Sequence, residues 1–101
     1  MSAVKRIGAY LSIDTDKREV RCLGYLMHLT QSEYEILKIL IDAGHGMDRK
    51  SIADRLTDKM FLSECSVVVH ICSLNKKARE IGADKLIKFD RKIKYFVDQS
   101  V

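Results

Sequence analysis

Long apolar runs are missing from this 101-residue chain. No stretch can span a bilayer, so no membrane partner is expected. The N-terminus, MSAVKRIG, lacks the apolar core of a secretory signal. Cysteines are few, and Cys22, Cys65 and Cys72 cannot all pair with one another. Cys65 and Cys72 are seven apart on one expected helix, about 10 Å along its axis, which is too far for a disulfide. No CxxC or HxxxH spacing suggests zinc. The expectation is a cytoplasmic protein with reduced thiols, no metal and no cofactor.

Catalytic constellations are equally scarce. His28, His45 and His70 are scattered along the chain. Cys72 follows His70 by two residues, about 200° around a helix, so the two sit on different faces. Gly44-His45-Gly46 is too short to cradle a phosphate. No enzymatic activity is expected.

What is present is a balanced globular composition. Hydrophobic residues make up 47% and charged residues 32%, which suits a folded chain rather than a disordered one. The length suits one domain with a modest core, taken as residues 9–98 after a tail at 1–8. The charge is uneven. Residues 1–65 carry ten Lys/Arg and ten Asp/Glu, whereas residues 66–101 carry eight against four. The whole surplus lies in the last third, an electrostatic footprint of nucleic-acid binding; the alternative is that these lysines merely solvate a surface.

One stretch organises the chain. Val67, Ile71, Leu74, Ala78 and Ile81 fall at i, i+4, i+7, i+11 and i+14, which predicts a helix over 63–81 with one buried face. Ser63 is its expected N-cap, Glu64 suits the dipole at that end, and Gly82 is its stop. The other face carries Val68, Val69, Cys72, Ser73, Asn75, Lys76 and Arg79.

Upstream, residues 10–14, 19–23 and 25–29 read as short antiparallel strands around a Thr15-Asp16-Lys17 turn and the break at Gly24. Thr30-Gln31-Ser32-Glu33 is a capping box opening a helix that ends at Ala43-Gly44, with Leu29 placed to staple onto Tyr34. Residues 45–47 read as a loop. Asp48 caps a short helix over 49–56, and an apolar connection containing Met60, Phe61 and Leu62 follows. After Gly82, residues 86–89 and 93–97 read as a hairpin with a basic tip. Strands, a helix, a short helix, a long helix and a two-stranded wing make an α+β winged helix-turn-helix plan.

Three stretches resemble the DNA-binding effector domains of OmpR/PhoB-type response regulators. Residues 29–37, LTQSEYEIL, are similar to that family's LTxxE[FY]xLL. Residues 67–77, VVVHICSLNKK, are similar to VDVHIxRLRKK, and residues 86–95, LIKFDRKIKY, to LIxTVRGxGY. The resemblance implies a sheet of three to four strands, three helices and a C-terminal wing. It further implies a third helix in the major groove of double-stranded DNA and a wing, residues 88–95, at the minor groove. By position it assigns His70 and Tyr95 to the DNA backbone, Lys76 to the helix contacts and Arg91 to the wing. The expected interface is Ser66, Val69, His70, Ser73, Asn75, Lys76, Lys77, Arg91, Lys92, Lys94 and Tyr95. The Met60–Leu62 loop would meet RNA polymerase or another partner, and a homodimer is a further candidate assembly.

The chain departs from the family pattern where bases would be read. Ser73 and Asn75 replace two arginines, and Val68 replaces an aspartate. Phe89 replaces the threonine before the wing, and Lys92 and Lys94 replace its glycines. Ser73 cannot make a bidentate guanine contact. Asn75 suits a phosphate or an adenine. Val68 and Val69 suit thymine methyls or a protein-facing patch. Two readings therefore stand: a transcriptional regulator binding duplex DNA mainly through phosphates, and a winged-helix protein-interaction module with weak or lost base readout.

Overall fold

Burial with a period of two builds the first layer. The computed structural model describes residues 4–7, 11–44, 46–56, 63–83, 86–90 and 94–97. Four strands, β1 (Val4–Ile7), β2 (Leu11–Asp14), β3 (Glu19–Cys22) and β4 (Tyr25–Met27), pair antiparallel in chain order. The register sets Ile7 opposite Leu11 and Leu11 opposite Cys22, and Ile13 opposite Val20 and Val20 opposite Met27. These six side chains are all buried and form the inner face. Residues 4–7, expected to be part of a tail, are therefore the first strand. Only Ile7 of β1 is buried, so its sequence shows no apolar alternation, and pairing with β2 holds it.

The turns follow from side-chain chemistry. Asp14 Oδ1 accepts hydrogen bonds from the amides of Asp16 and Lys17 at 3.0 and 3.2 Å, closing the β2–β3 turn. The β3–β4 link is a two-residue turn, Leu23-Gly24, with φ of 54° and 82°. Positive φ at both positions is the type I′ geometry that fits strand twist. Glycine accepts it freely, and leucine does not.

Helix α1 (Gln31–Ala43) starts with the expected capping box. The Glu33 amide donates to Thr30 Oγ1 at 3.3 Å, and the Thr30 amide donates to Glu33 Oε1 at 3.0 Å. It ends at Gly44, left-handed at φ 68°. Helix α2 (Arg49–Leu56) is capped by Asp48, whose Oδ1 accepts from the Ser51 amide at 2.8 Å. Hydrogen bonds from the Ser51 hydroxyl and then the Ser51 amide, with lesser help from Lys94 and Lys50, hold the Asp48 carboxyl below its usual range. Helix α3 (Glu64–Glu80) has Ser63 as its N-cap, accepting from the Ser66 amide. It closes with Gly82 donating to Arg79 O and Ala83 to Ala78 O, the paired bonds of a Schellman motif. Val67, Ile71, Leu74 and Ala78 are buried as the periodicity requires, with Ile81 partly so.

The wing is the hairpin β5 (Ile87–Asp90) and β6 (Lys94–Val97). Met47, expected in a loop, pairs with β6 instead. The Met47 amide donates to Tyr95 O at 2.9 Å, and the Tyr95 amide donates to Met47 O at 2.7 Å. Gly46 permits this approach, since a Cβ there would meet Lys94 Cβ at 3.0 Å. The sheet, the three helices and the hairpin share one apolar core. The architecture is the α+β winged helix-turn-helix.

The strained leucine yields a stability test. Leu23→Asn should raise stability by about 1 kcal/mol, because asparagine tolerates the left-handed region that leucine resists. A higher urea midpoint with an unchanged slope is the expected result.

Candidate nucleic-acid interface

Helix α3 presents two complementary stripes. Its buried stripe leaves Cys65, Val69, Cys72, Lys76 and Arg79 at the same intervals on the opposite side, and all five are exposed. Val69 is 65% exposed. Lys76 and Arg79 form no ion pair among the described residues.

One flank of α3 is committed to α1. Lys77 Nζ donates to Glu33 Oε1 at 2.7 Å and to the His28 carbonyl at 2.9 Å. Glu33 is buried, at 1% exposure. Burial alone would push its carboxyl up. Hydrogen bonds from Lys77, the Thr30 amide and hydroxyl, and Ser73 outweigh that and hold it below its usual 4.5. Glu33 Oε2 is buried without a hydrogen-bond partner among the described residues. Lys77 and Ser73, both expected at DNA, thus face the first turn of α1.

The other flank is committed to the wing. Asn75 Nδ2 donates to Ile87 O, and the Ile87 amide donates to Asn75 Oδ1, both at 3.0 Å. The side-chain amide acts as a peptide group and pairs with the edge of β5. Half-buried and doubly bonded, Asn75 fixes the wing to α3 rather than facing outward. Ser66, also expected at DNA, is half-buried, and its Oγ accepts from Ser63 Oγ at 3.0 Å within the N-cap. His70 is half-buried.

On the wing, Lys94 is exposed and Tyr95 is half-buried. Tyr95 stacks at a tilt on Phe89, with ring centroids 5.0 Å apart, and Phe89 is 57% exposed. Lys94 also lines a cleft of about 330 Å³ with Gly46, Met47, Asp48, Ser51 and Arg55. This brings a second cation, Arg55 of α2, beside the wing. Arg91 and Lys92 lie outside the described residues, as do Met60, Phe61 and Leu62. Among the described residues no cluster of His, Cys, Asp and Glu could hold a metal, and no helix is long and apolar enough to cross a membrane.

Arg79 and Arg55 were not among the expected interface residues. The i, i+4, i+7, i+11, i+14 spacing of residues 65–79 could have found Arg79. Nothing local marks Arg55, which comes to line a cleft with Lys94 only in the fold.

No protein-family model matches the chain, and neither does any curated protein. Solved structures do. The chain is similar to the DNA-binding domain of the response regulator AdeR, solved in complex with an intercistronic region. Identity is 27%, the TM-score is 0.77, and 93% of this chain covers 99% of that one. It is similar to the Klebsiella pneumoniae RstA DNA-binding domain, solved in complex with the RstA box, at 25% identity and TM-score 0.74, covering 96% and 98%. The fold is that of the OmpR/PhoB-type response-regulator DNA-binding domain. The Thermotoga maritima OmpR/PhoB homologue DrrB shares it at 23% identity and TM-score 0.76 over 94% of this chain, which spans 44% of DrrB's length. The AdeR and RstA neighbours are DNA-binding domains. Within this OmpR/PhoB-type frame, Lys76 and Arg79 of α3 and Lys94 of the wing are exposed cations.

The committed flanks predict structural losses. Asn75→Ala should cost roughly 2 kcal/mol, because it orphans an amide and a carbonyl on β5. Lys77→Met should cost about 1–3 kcal/mol, since it leaves a buried carboxylate without its cation. Glu33 is more acidic folded than unfolded, so its ionisation adds stability above the usual glutamate range. That contribution is lost as the pH falls through the lower folded value. Urea titrations from neutral to acid pH should therefore show a smaller acid-dependent loss in Lys77→Met than in the parent.

Proposed function

We propose that this chain binds double-stranded DNA as a cytoplasmic transcriptional regulator of the two-component type. Helix α3 enters the major groove and the wing lies at the minor groove. The observation that carries the reading is the outward ridge of α3, which ends in exposed Lys76 and Arg79, without an ion pair among the described residues, while the helix's other flanks are fastened inward. Lys94 on the wing and Arg55 on α2 add two exposed cations that line one cleft. The AdeR and RstA domains it resembles were solved in complex with an intercistronic region and the RstA box. With the arginines of the recognition motif absent, phosphate contacts supply most of the affinity, and Arg91, Lys92, His70 and Tyr95 belong to the same backbone-facing set.

A second reading draws on the apolar middle of the same ridge. Exposed Val69 and Cys72, with half-buried Val68, suit a protein partner. That partner would be a second copy or RNA polymerase, the latter also meeting Met60–Leu62.

Fluorescence anisotropy with a random duplex separates the two. Under the DNA reading, affinity falls steeply with salt, and the log–log slope becomes shallower by about 0.9 for each phosphate contact removed. Lys76→Ala, Arg79→Ala and Arg91→Ala should each weaken binding and flatten the slope by about one such step. No binding at low salt, a flat slope, or full affinity in all three variants refutes it.

A further inference from the structure

We infer that α3 reads DNA by the C5-methyl groups of pyrimidines rather than by base-edge hydrogen bonds, so that it treats thymine and 5-methylcytosine alike. The inference rests on the DNA-binding reading above. It follows from which side chains the fold leaves free. Asn75, the one residue of α3 suited to pairing with adenine, has both amide groups bonded to Ile87. Lys77 is held by Glu33 and the His28 carbonyl, and Ser73 lies on the same inward flank. The centre of the outward ridge is then Cys65, Val69 and Cys72. A free thiol behaves as a small hydrophobe with only a weak donor. Lys76 and Arg79 follow on the C-terminal part of the ridge and suit phosphates on either side of the groove.

An apolar floor with cations at its C-terminal end fits one feature of the major groove. Thymine projects its C5-methyl there, and apolar side chains contact it. Cytosine methylated at C5 projects the same group from the same ring position. A reader that accepts hydrogen bonds from N4 or donates them to O4 would tell the two bases apart. A ridge of Val69 and thiols would not. It would, however, discriminate against uracil and unmodified cytosine, which lack the methyl.

The test uses a duplex recovered by selection from a randomised pool, remade with base replacements at its thymines and measured by anisotropy at fixed salt. At a contacted position, uracil should weaken binding about fourfold, the worth of one buried methyl. Replacing that T·A pair by a 5-methylcytosine·G pair should preserve affinity, and replacing it by C·G should not. Val69→Ser should still bind and lose the thymine-to-uracil difference. Lys76→Ala should weaken both duplexes equally and keep the difference. Equal affinity of the parent protein for the thymine and uracil duplexes overturns the inference while leaving DNA binding intact. So does rejection of 5-methylcytosine together with cytosine. Failure to bind any duplex at low salt overturns the DNA-binding reading, and this inference falls with it.

Discussion

The arrangement of the helices depends on one buried carboxylate. Glu33 closes the N-cap of α1 through Thr30 and, with the same oxygen, receives the Lys77 ammonium of α3. Burying a charge in a core this small costs several kcal/mol, and the contacts offset the cost only when they are all made together. The pair is therefore a weak source of stability and a strong constraint on geometry. Its contacts are satisfied at one relative placement of α1 and α3, and the outward ridge takes its direction from that placement. Arg18 makes a parallel tie from the sheet side, 2.6 Å from buried Glu35, with its guanidinium 5.0 Å over the Tyr34 ring. One turn of α1 is thus held from both layers.

These ties change the meaning of the net charge. The surplus of cations in the last third suggests a uniformly basic end. In the folded chain Lys77 is neutralised inside, and Arg49 pairs with Glu64 at 3.4 Å between the starts of α2 and α3. Of the described cations in that third, Lys76, Arg79 and Lys94 stay exposed, on the outward ridge and on the wing. A charge count locates such an end of the molecule. Only the pairing pattern locates the surface.

Local signals were the legible ones. The capping box at Thr30–Glu33, the Ser63 cap, the Gly44 and Gly82 stops and the 63–81 periodicity are each written within a few neighbouring residues, and each appears as expected. The motifs that carried the family resemblance are of the same kind. Strand β1 was not legible, because three of its four side chains are exposed. Long-range partners were not legible either. Asn75 and Lys77 occupy positions that a motif assigns to DNA, yet their ligands lie 12 and 44 residues away in the chain. Sequence alone gave no hint that either side chain was already engaged. The bridge from Met47 to Tyr95 escaped for the same reason.

That bridge and the Asn75 amide act on opposite margins of the same hairpin. A two-stranded ribbon normally offers a row of open amides and carbonyls along each side, and such rows recruit foreign strands. Here the outward-pointing groups of Tyr95 are taken by Met47, and those of Ile87 by Asn75. An intruding strand would meet occupied positions from whichever side it came. The hairpin can project from the body with exposed Phe89 on it and still be guarded against edge-to-edge aggregation.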